Sequence, residues 1–230
     1  EWTLRRNSAA FDDYEILPAQ LSDVSQIDMR SRLFGEDVDW PVMLSPTGAS
    51  KLFHPQGEPA VVRAAEAFGM AYGLSTLATT TIEDVAAVAN CPKLFQLYIL
   101  KDRGVSAQLV RRCKDAGYKA LCLTVDTPVP GNRERDAVYG FSSGRLRARA
   151  IPSWIRHAGW LYRALLKKDM EMVNLATSDR PSEFEDMSLL EYFDAQLDRS
   201  LTWKDVEWLA SLWDGPLVIK GVQTVADCRQ

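Results

Sequence analysis

The chain has 230 residues, of which 27 are Lys or Arg and 31 are Asp or Glu, giving a formal net charge of −4. With 47% hydrophobic and 25% charged residues, it has the composition of a globular protein, and disordered or collagen-like chains are excluded. It contains no run of 18 apolar residues and no charged-then-apolar leader. We therefore expect no membrane-spanning helix, no secretion signal and a cytoplasmic location.

From residue 40 onward, short apolar runs alternate with stretches of helical period. The predicted strands cover residues 41–45, 70–75, 94–98, 120–126 and 217–220. The predicted helices between them cover residues 58–68, 82–89, 107–116 and 203–213. This alternation predicts an α/β fold built from β-α units around a parallel sheet.

Two architectures share that alternation, and the strand ends favour one of them. A doubly wound dinucleotide-binding sheet needs GxGxxG after an early strand, and neither this motif nor GxxxxGK[ST] is present. A TIM (β/α)8 barrel places its chemistry at the C-terminal ends of its strands. The polar residues at the predicted strand ends are Thr47, Ser75, Gln96, Tyr98, Thr124, Asp126 and Lys220. Any single one of them could simply begin a turn. We therefore predict the barrel.

The predicted barrel is incomplete. About five of eight strands are found, the chain opens without methionine, and it stops within the first turns of a predicted helix. We expect truncation at both ends, and we interpret residues 1–230 as one incomplete barrel domain. Within it, residues 127–201 form a long inserted loop between the fourth and fifth strands.

The first part of this loop is basic and amphipathic. Residues 141–168 carry seven basic residues and no acidic one, whereas residues 169–199 carry nine acidic residues and two arginines. Apolar residues such as Trp154, Leu161 and Tyr162 follow helical spacing opposite a basic face. Residues 145–168 therefore suit an anionic membrane surface, or a helix packed on its own barrel with a solvated outer face. Nucleic acid is not expected, because the basic patch is short and the rest of the chain is acidic.

Several polar side chains could carry chemistry at the barrel mouth. Lys220 could place a positive charge against a developing anion, or form a Schiff base. Gln96 and Tyr98 alternate on one face of their strand, and Thr124 and Asp126 repeat that spacing, as a flat hydrogen-bonding ligand would require.

Other residue types in the chain narrow the possible chemistry. Arg133, in the turn that follows Asp126, could bind a carboxylate. His54 and His157 do not stand at strand ends and are not expected to act as general bases, and no hydrolase arrangement is found. Four cysteines without a CxxC pair predict reduced thiols and no metal site.

Short motifs along the chain match a known family. They are NSAAF at 7–11, PTG at 46–48, LFHPQGE at 52–58, LST at 74–76, FQLY at 95–98, LTVDTP at 123–128, WKD at 203–205 and KGV at 220–222. In this order the sequence resembles the FMN-dependent 2-hydroxy-acid oxidases and dehydrogenases, a family that includes glycolate oxidase, lactate oxidases and mandelate dehydrogenase.

The resemblance implies a cofactor, FMN, and roles for individual residues. The flavin ring would be held by Pro46, Thr47, Gly48, Ser75, Gln96, Thr124 and Lys220, with Lys220 stabilising the reduced flavin. Tyr98, Asp126 and Lys220 would be the catalytic residues. Tyr98 would hydrogen-bond the substrate, Arg133 would contact its carboxylate, and Asp126 would orient the histidine that family members use as base. The reaction would convert an L-2-hydroxy acid to a 2-oxo acid, with reoxidation by quinone or oxygen.

Further expectations follow from the same resemblance. The base histidine and the phosphate-binding loops are expected beyond Gln230, so we expect this chain alone to be inactive. Gly48 stands where many members have alanine, which suggests a bulkier substrate. Membrane-associated members carry an extended segment at the same connection, and a homo-tetramer is the expected assembly. Two alternatives stay open: a non-redox FMN barrel enzyme, and a non-catalytic barrel that acts through its amphipathic loop.

Overall fold

A computed structural model describes residues 2–129, 155–162, 171–176 and 189–230. The strands are β1 (Ser31–Leu33), β2 (Glu36–Val38), β3 (Met43–Thr47), β4 (Ala71–Ser75), β5 (Lys93–Leu97), β6 (Ala120–Thr124) and β7 (Leu217–Lys220). The helices are α1 (Trp2–Ala9), α2 (Gly57–Ala67), α3 (Ile82–Val88), α4 (Arg103–Asp115), α5 (Ala158–Tyr162), α6 (Val173–Ala176), α7 (Leu189–Gln196), α8 (Trp203–Leu212) and α9 (Val225–Cys228). Short 3-10 turns cover Ala10–Asp13 and Ser50–Leu52.

Strands β3 to β7 form one parallel sheet in which chain order and spatial order are the same. A doubly wound sheet reverses its strand order part-way, so this uninterrupted order identifies the fold as the α/β arrangement of a (β/α)8 barrel. The chain supplies five consecutive barrel strands, and each overlaps a strand predicted from the sequence.

The two faces of the sheet are packed differently. Phe95, Leu97, Leu121 and Leu123 point to the helices and belong to the main hydrophobic core, which also includes residues of α2, α3, α4 and α8. The opposite face, inside the barrel, carries the smaller cluster of Leu94, Ala120 and Cys122, with Phe34 and Met43 packed against it. The three central strands β4, β5 and β6 are therefore buried on both faces, as barrel strands are, whereas β3 and β7 at the edges of the sheet are partly exposed.

The hairpin that supplies Phe34 was not predicted from the sequence. β1 and β2 are antiparallel strands of three residues each, joined by a turn in which Phe34 and Gly35 have φ angles of 56° and 83°. This tight turn places the Phe34 ring against the inner cluster. The structure also starts α4 at Arg103, ahead of the predicted residue 107, because the Asp102 side chain accepts from Gly104 N at 2.8 Å and caps the helix.

The cysteines agree with the prediction of reduced thiols. All four are free, three of them buried and Cys228 exposed. Within the described ranges, no helix is long and apolar enough to cross a membrane.

The buried carboxylate of Glu58 joins two loops at the C-terminal edge of the sheet. Its oxygens accept from Thr79 N and Thr79 Oγ1, each at 2.8 Å, from Thr80 Oγ1 at 2.8 Å and from Ser50 N at 3.3 Å. Burial raises the pKa of Glu58, but these hydrogen bonds together outweigh it and hold the pKa below its ordinary value of 4.5. Glu58 thus ties the loop after β3 to the loop after β4.

Replacing Glu58 by Gln is expected to lower the free energy of unfolding at neutral pH by about 2–3 kcal/mol, because an amide presents donors to groups that are themselves donors. The pKa of Glu58 is lower in the folded than in the unfolded chain, so the carboxylate stabilises the protein above pH 4.5. That contribution is lost as the pH falls through the folded-state value, and the gap between Glu58→Gln and wild type should therefore close in acid.

Urea denaturation at pH 7 and at a series of pH values descending from 4.5 measures both effects. The control is Glu207→Gln on the exposed face of α8, which should change stability by less than about 0.5 kcal/mol. Equal stability of Glu58→Gln and wild type at pH 7 would contradict the stabilising role given to the Glu58 carboxylate.

Candidate functional site

A hydrogen-bonded chain of buried polar side chains crosses three strands at the C-terminal edge of the sheet. Ser75 Oγ donates to Gln96 Oε1 at 3.1 Å, and Gln96 Nε2 donates to Thr124 Oγ1 at 2.7 Å. The parallel register makes this possible because Ser75 pairs with Gln96 across β4 and β5. The structure thus brings together three of the residues predicted to face the barrel mouth.

The direction of these bonds fixes what the chain can offer a ligand. Gln96 uses its amide oxygen on Ser75 and its amide nitrogen on Thr124, so its orientation is determined by both neighbours. Thr124 accepts in its bond with Gln96, which leaves the hydroxyl hydrogen of Thr124 as a donor. Gln96 keeps a second N–H. The hydrogen-bonded side chains of Ser75, Gln96 and Thr124 therefore present donors and acceptors side by side along a flat edge.

The next strand adds a charged pair to this edge. Lys220 ends β7, next to Thr124 in the strand register, and its Nζ lies 3.2 Å and 3.5 Å from the two carboxylate oxygens of Asp126. Both side chains are partly exposed, so they remain accessible from the barrel mouth. The sequence placed both residues at strand ends but did not predict that they pair with each other. Below them, burial raises the pKa of the Cys122 thiol, although nearby Lys220 opposes the shift.

Three further predicted residues lie where β3 ends: Pro46 and Thr47 are its last two residues, and Gly48 begins the loop after it. This loop is held by a bond from Ala49 N to Leu77 O at 2.8 Å, with Ala49 in the left-handed region at φ 54°. A Cβ added to Gly48 would lie 3.2 Å from Leu77 Cβ. A glycine here avoids a close contact with Leu77, and the extra room for a bulkier substrate stays a prediction.

Tyr98 follows β5 and lies at the rim of a cavity. Its ring packs edge-on against Phe193 of α7, with centroids 5.0 Å apart. The cavity, about 490 Å³, opens between the ends of β6 and β7, and its lining includes Tyr98, Thr124, Thr127 and Gly221. Phe193 is a contact that sequence analysis missed, because nothing in the acidic stretch around it marks a partner 95 positions away. Arg133, predicted to bind a carboxylate, lies outside the described residues.

These features define a class of protein. A five-stranded parallel sheet in barrel order carries amide, hydroxyl and ammonium groups at its C-terminal edge, where barrel enzymes bind their ligands. The model of the family described as FMN-dependent dehydrogenase matches residues 1–230, and the chain belongs to this family.

Individual relatives agree with that membership. The chain is 41% identical over 229 residues to glycolate oxidase 1 of Oryza sativa subsp. indica, and the alignment covers 100% of this chain and 56% of that protein. It is 38% identical over 231 residues to an L-lactate dehydrogenase of Vibrio cholerae serotype O1 (strain M66-2), covering 100% and 61% respectively. Among solved structures, a monotopic membrane protein, (S)-mandelate dehydrogenase, superimposes with a TM-score of 0.85 at 28% identity, covering 97% of this chain and 59% of that chain. The chain thus spans less than two thirds of the length of each of these relatives.

Gly221 lies against Asp126 of the charged pair, and replacing Gly221 by Ala should disturb that pair. Gly221 has a φ angle of 102°, and an added Cβ would lie 2.5 Å from Asp126 Cβ and 3.0 Å from Asp126 N. We expect Gly221→Ala to lower the free energy of unfolding by about 2–4 kcal/mol, combining backbone strain with the clash.

Gly117→Ala is the matched control for this substitution. Gly117 also has a positive φ, 74°, but an added Cβ there meets nothing within 4 Å. It should cost only the backbone strain, about 1–2 kcal/mol. Thermal or urea unfolding compares the two variants, and an equal loss in both would show that contact with Asp126 is unimportant.

Proposed function

We propose that the protein oxidises an L-2-hydroxy acid to the 2-oxo acid with FMN as its cofactor. The observation that carries this proposal is the Ser75–Gln96–Thr124 hydrogen-bonded chain, continued by Lys220 at the same edge of the sheet. Family membership and the relatives named glycolate oxidase, L-lactate dehydrogenase and (S)-mandelate dehydrogenase support it.

The donor set fits the polar edge of a flavin ring. That edge alternates carbonyl oxygens with ring nitrogens, and Gln96, Thr124 and Ser75 supply amide and hydroxyl groups of both kinds on neighbouring strands. Lys220 adds the positive charge that such an edge requires when it becomes electron-rich. Pro46 and Thr47 at the end of β3, and Gly48 in the loop after it, would contact the ring. When bound, FMN supplies the acceptor for the α-hydrogen and two electrons of the substrate.

The remaining proposed residues act on the substrate. Tyr98, at the rim of the cavity, would donate a hydrogen bond to the hydroxy acid, and Arg133 would bind its carboxylate as a bidentate partner. Asp126 is the carboxylate available to orient a cationic or imidazole group at the mouth, and in this structure it pairs with Lys220. A homo-tetramer remains the prediction from the family resemblance.

The visible absorption spectrum of the purified full-length protein tests the proposal. It is recorded before and after anaerobic addition of L-lactate, glycolate or L-mandelate. A yellow protein bleached by one acid supports the proposal, and the bleaching acid identifies which substrate side chain the enzyme accepts. Reoxidation of the reduced protein by oxygen or by a quinone then identifies the electron acceptor. A colourless protein would contradict it. A yellow protein that no acid bleaches would also contradict it and would favour a non-redox FMN enzyme.

Lys220→Met should slow anaerobic bleaching by about 10²-fold or more, because it removes the positive charge that faces the incoming electrons. Stopped-flow absorbance at the flavin maximum measures the rate. The control is Lys204→Met, an exposed lysine on α8, which should leave the rate unchanged. An unchanged rate in Lys220→Met would contradict the role given to Lys220.

We further propose that residues 145–168, together with the neighbouring corner at Phe53, contact an anionic membrane surface. Trp160 Nε1 donates to Leu52 O at 2.9 Å, which holds α5 against the turn after β3. Around this contact, Ile155, Tyr162 and Phe53 are 74%, 57% and 79% exposed. Ile155 and Tyr162 belong to a stretch of sequence, residues 141–168, that carries seven basic and no acidic residues, and apolar and basic residues together are the combination that binds anionic lipid surfaces. The monotopic (S)-mandelate dehydrogenase supports such a peripheral location at the membrane.

The double variant Ile155→Ser, Tyr162→Ser should weaken binding to phosphatidylserine-containing vesicles by about tenfold, since each apolar side chain contributes to insertion. Vesicle sedimentation at two salt concentrations measures the apolar and the electrostatic contributions to vesicle binding. Phe68→Ser is the control, because Phe68 is 62% exposed at the end of α2, away from α5. Absence of vesicle binding in the wild type would contradict the membrane proposal and favour a helix packed on its own barrel.

A further inference from the structure

We infer that Arg103 is a positioning residue for Tyr98, acting through the backbone that follows β5 and through α7. The inference rests on the proposed function, in which Tyr98 binds the substrate. It concerns how the hydroxyl of Tyr98 is held in place.

The backbone after Tyr98 is fixed by the end of α7. Leu100 forms an antiparallel bridge with Leu197, and Lys101 N donates to Gln196 O at 2.8 Å. Asp102 N donates to the side chain of Gln196 at 3.2 Å. The loop between β5 and α4 is therefore paired residue by residue with a segment 94 positions away.

The same helix supports the Tyr98 ring. Phe193, one turn before Gln196, is buried and contacts Tyr98 edge-on at an interplanar angle of 69°. Because α7 holds both the ring and the backbone after it, a shift of α7 would move the Tyr98 hydroxyl relative to the barrel mouth.

Arg103 joins three segments that meet near the C-terminal end of α7. Its Nη1 donates to Leu100 O, and its Nη2 donates to Asp198 Oδ2 and Asp205 Oδ1, both at 2.7 Å. Leu100 belongs to the loop after Tyr98 and Asp198 follows α7. Asp205 lies in the first turn of α8, where it caps the helix by accepting from Thr202 N. One guanidinium thus connects the exits of β5 and α7 with the start of α8.

The chemistry of this cluster requires arginine. Hydrogen bonds from Ser200, with a smaller contribution from Arg103, hold the pKa of Asp198 at about 2, so Asp198 is an anion at any working pH. Asp205 also has a lowered pKa, chiefly through its bond from Thr202 N. Two carboxylates and a carbonyl oxygen need several donors in a fixed plane, which a guanidinium provides and a single ammonium does not.

A double-mutant cycle on the flavin-loaded full-length protein tests the inference, with kcat/KM for the accepted hydroxy acid as the readout. Tyr98→Phe keeps the ring and its contact with Phe193 but removes the hydroxyl. If Arg103 acts by positioning that hydroxyl, Arg103→Met should lower kcat/KM by about tenfold in the wild type and by less than about twofold in the Tyr98→Phe background. Arg103→Lys should restore only part of the loss.

Arg112→Met provides the matched control. Arg112 is also a half-buried arginine that binds a carboxylate, Glu83, at 2.7 Å, and it ties α6 to α3 through Asn174, away from Tyr98. Any loss it causes should be the same with and without the Tyr98 hydroxyl.

The outcomes separate the inference from the proposed function. An equal fractional loss from Arg103→Met in both backgrounds would overturn the positioning role and leave the proposed function standing. An unchanged kcat/KM in Tyr98→Phe itself would overturn the role proposed for Tyr98, and the inference with it.

Discussion

The side chain of Gln96 is the interaction on which the edge of the sheet depends. Its amide spans from β4 to β6, accepting from Ser75 and donating to Thr124, and both bonds are buried. A buried amide that lost either partner would carry the cost of an unsatisfied polar group, so the three strands must keep their parallel register. The neighbouring pairing of β6 with β7 sets Thr124 beside Lys220, whose ammonium group pairs with Asp126.

The long connection between β6 and β7 returns to the barrel at three described places. Trp160 contacts the turn after β3, and the buried Asn174 accepts from Ile82 N at the start of α3. Gln196 pairs with the loop after β5. The connection therefore serves two regions at once, since one part lies beside exposed aromatic residues and another part contacts Tyr98. The proposed membrane contact and the proposed substrate contact therefore belong to the same segment of chain.

The strands and most of the candidate site could be predicted from the sequence. Buried parallel strands are apolar until a polar residue appears at the C-terminal end, which faces the barrel mouth. That pattern placed Ser75, Gln96 and Thr124 on one edge, and the family motifs added their roles. The β1–β2 hairpin escaped prediction, because strands of three residues with charged members leave no periodic signal. The Arg103 cluster and the Asp126–Lys220 pair also escaped, because contacts between residues about a hundred positions apart depend on the closed fold and not on local spacing.

The anchoring of both ends of the long connection also affects how the protein can diverge. The connection contacts the rest of the barrel through Trp160, Asn174 and Gln196. The entropy of closing a loop between two such anchors grows only with the logarithm of its length. Doubling the number of residues between those anchors costs about 0.6 kcal/mol, less than one buried hydrogen bond. Insertions and deletions between these contacts, as opposed to changes at the contacting residues, are therefore expected to cost the sheet little. New surface properties can arise there by drift while the residues at the barrel mouth stay unchanged.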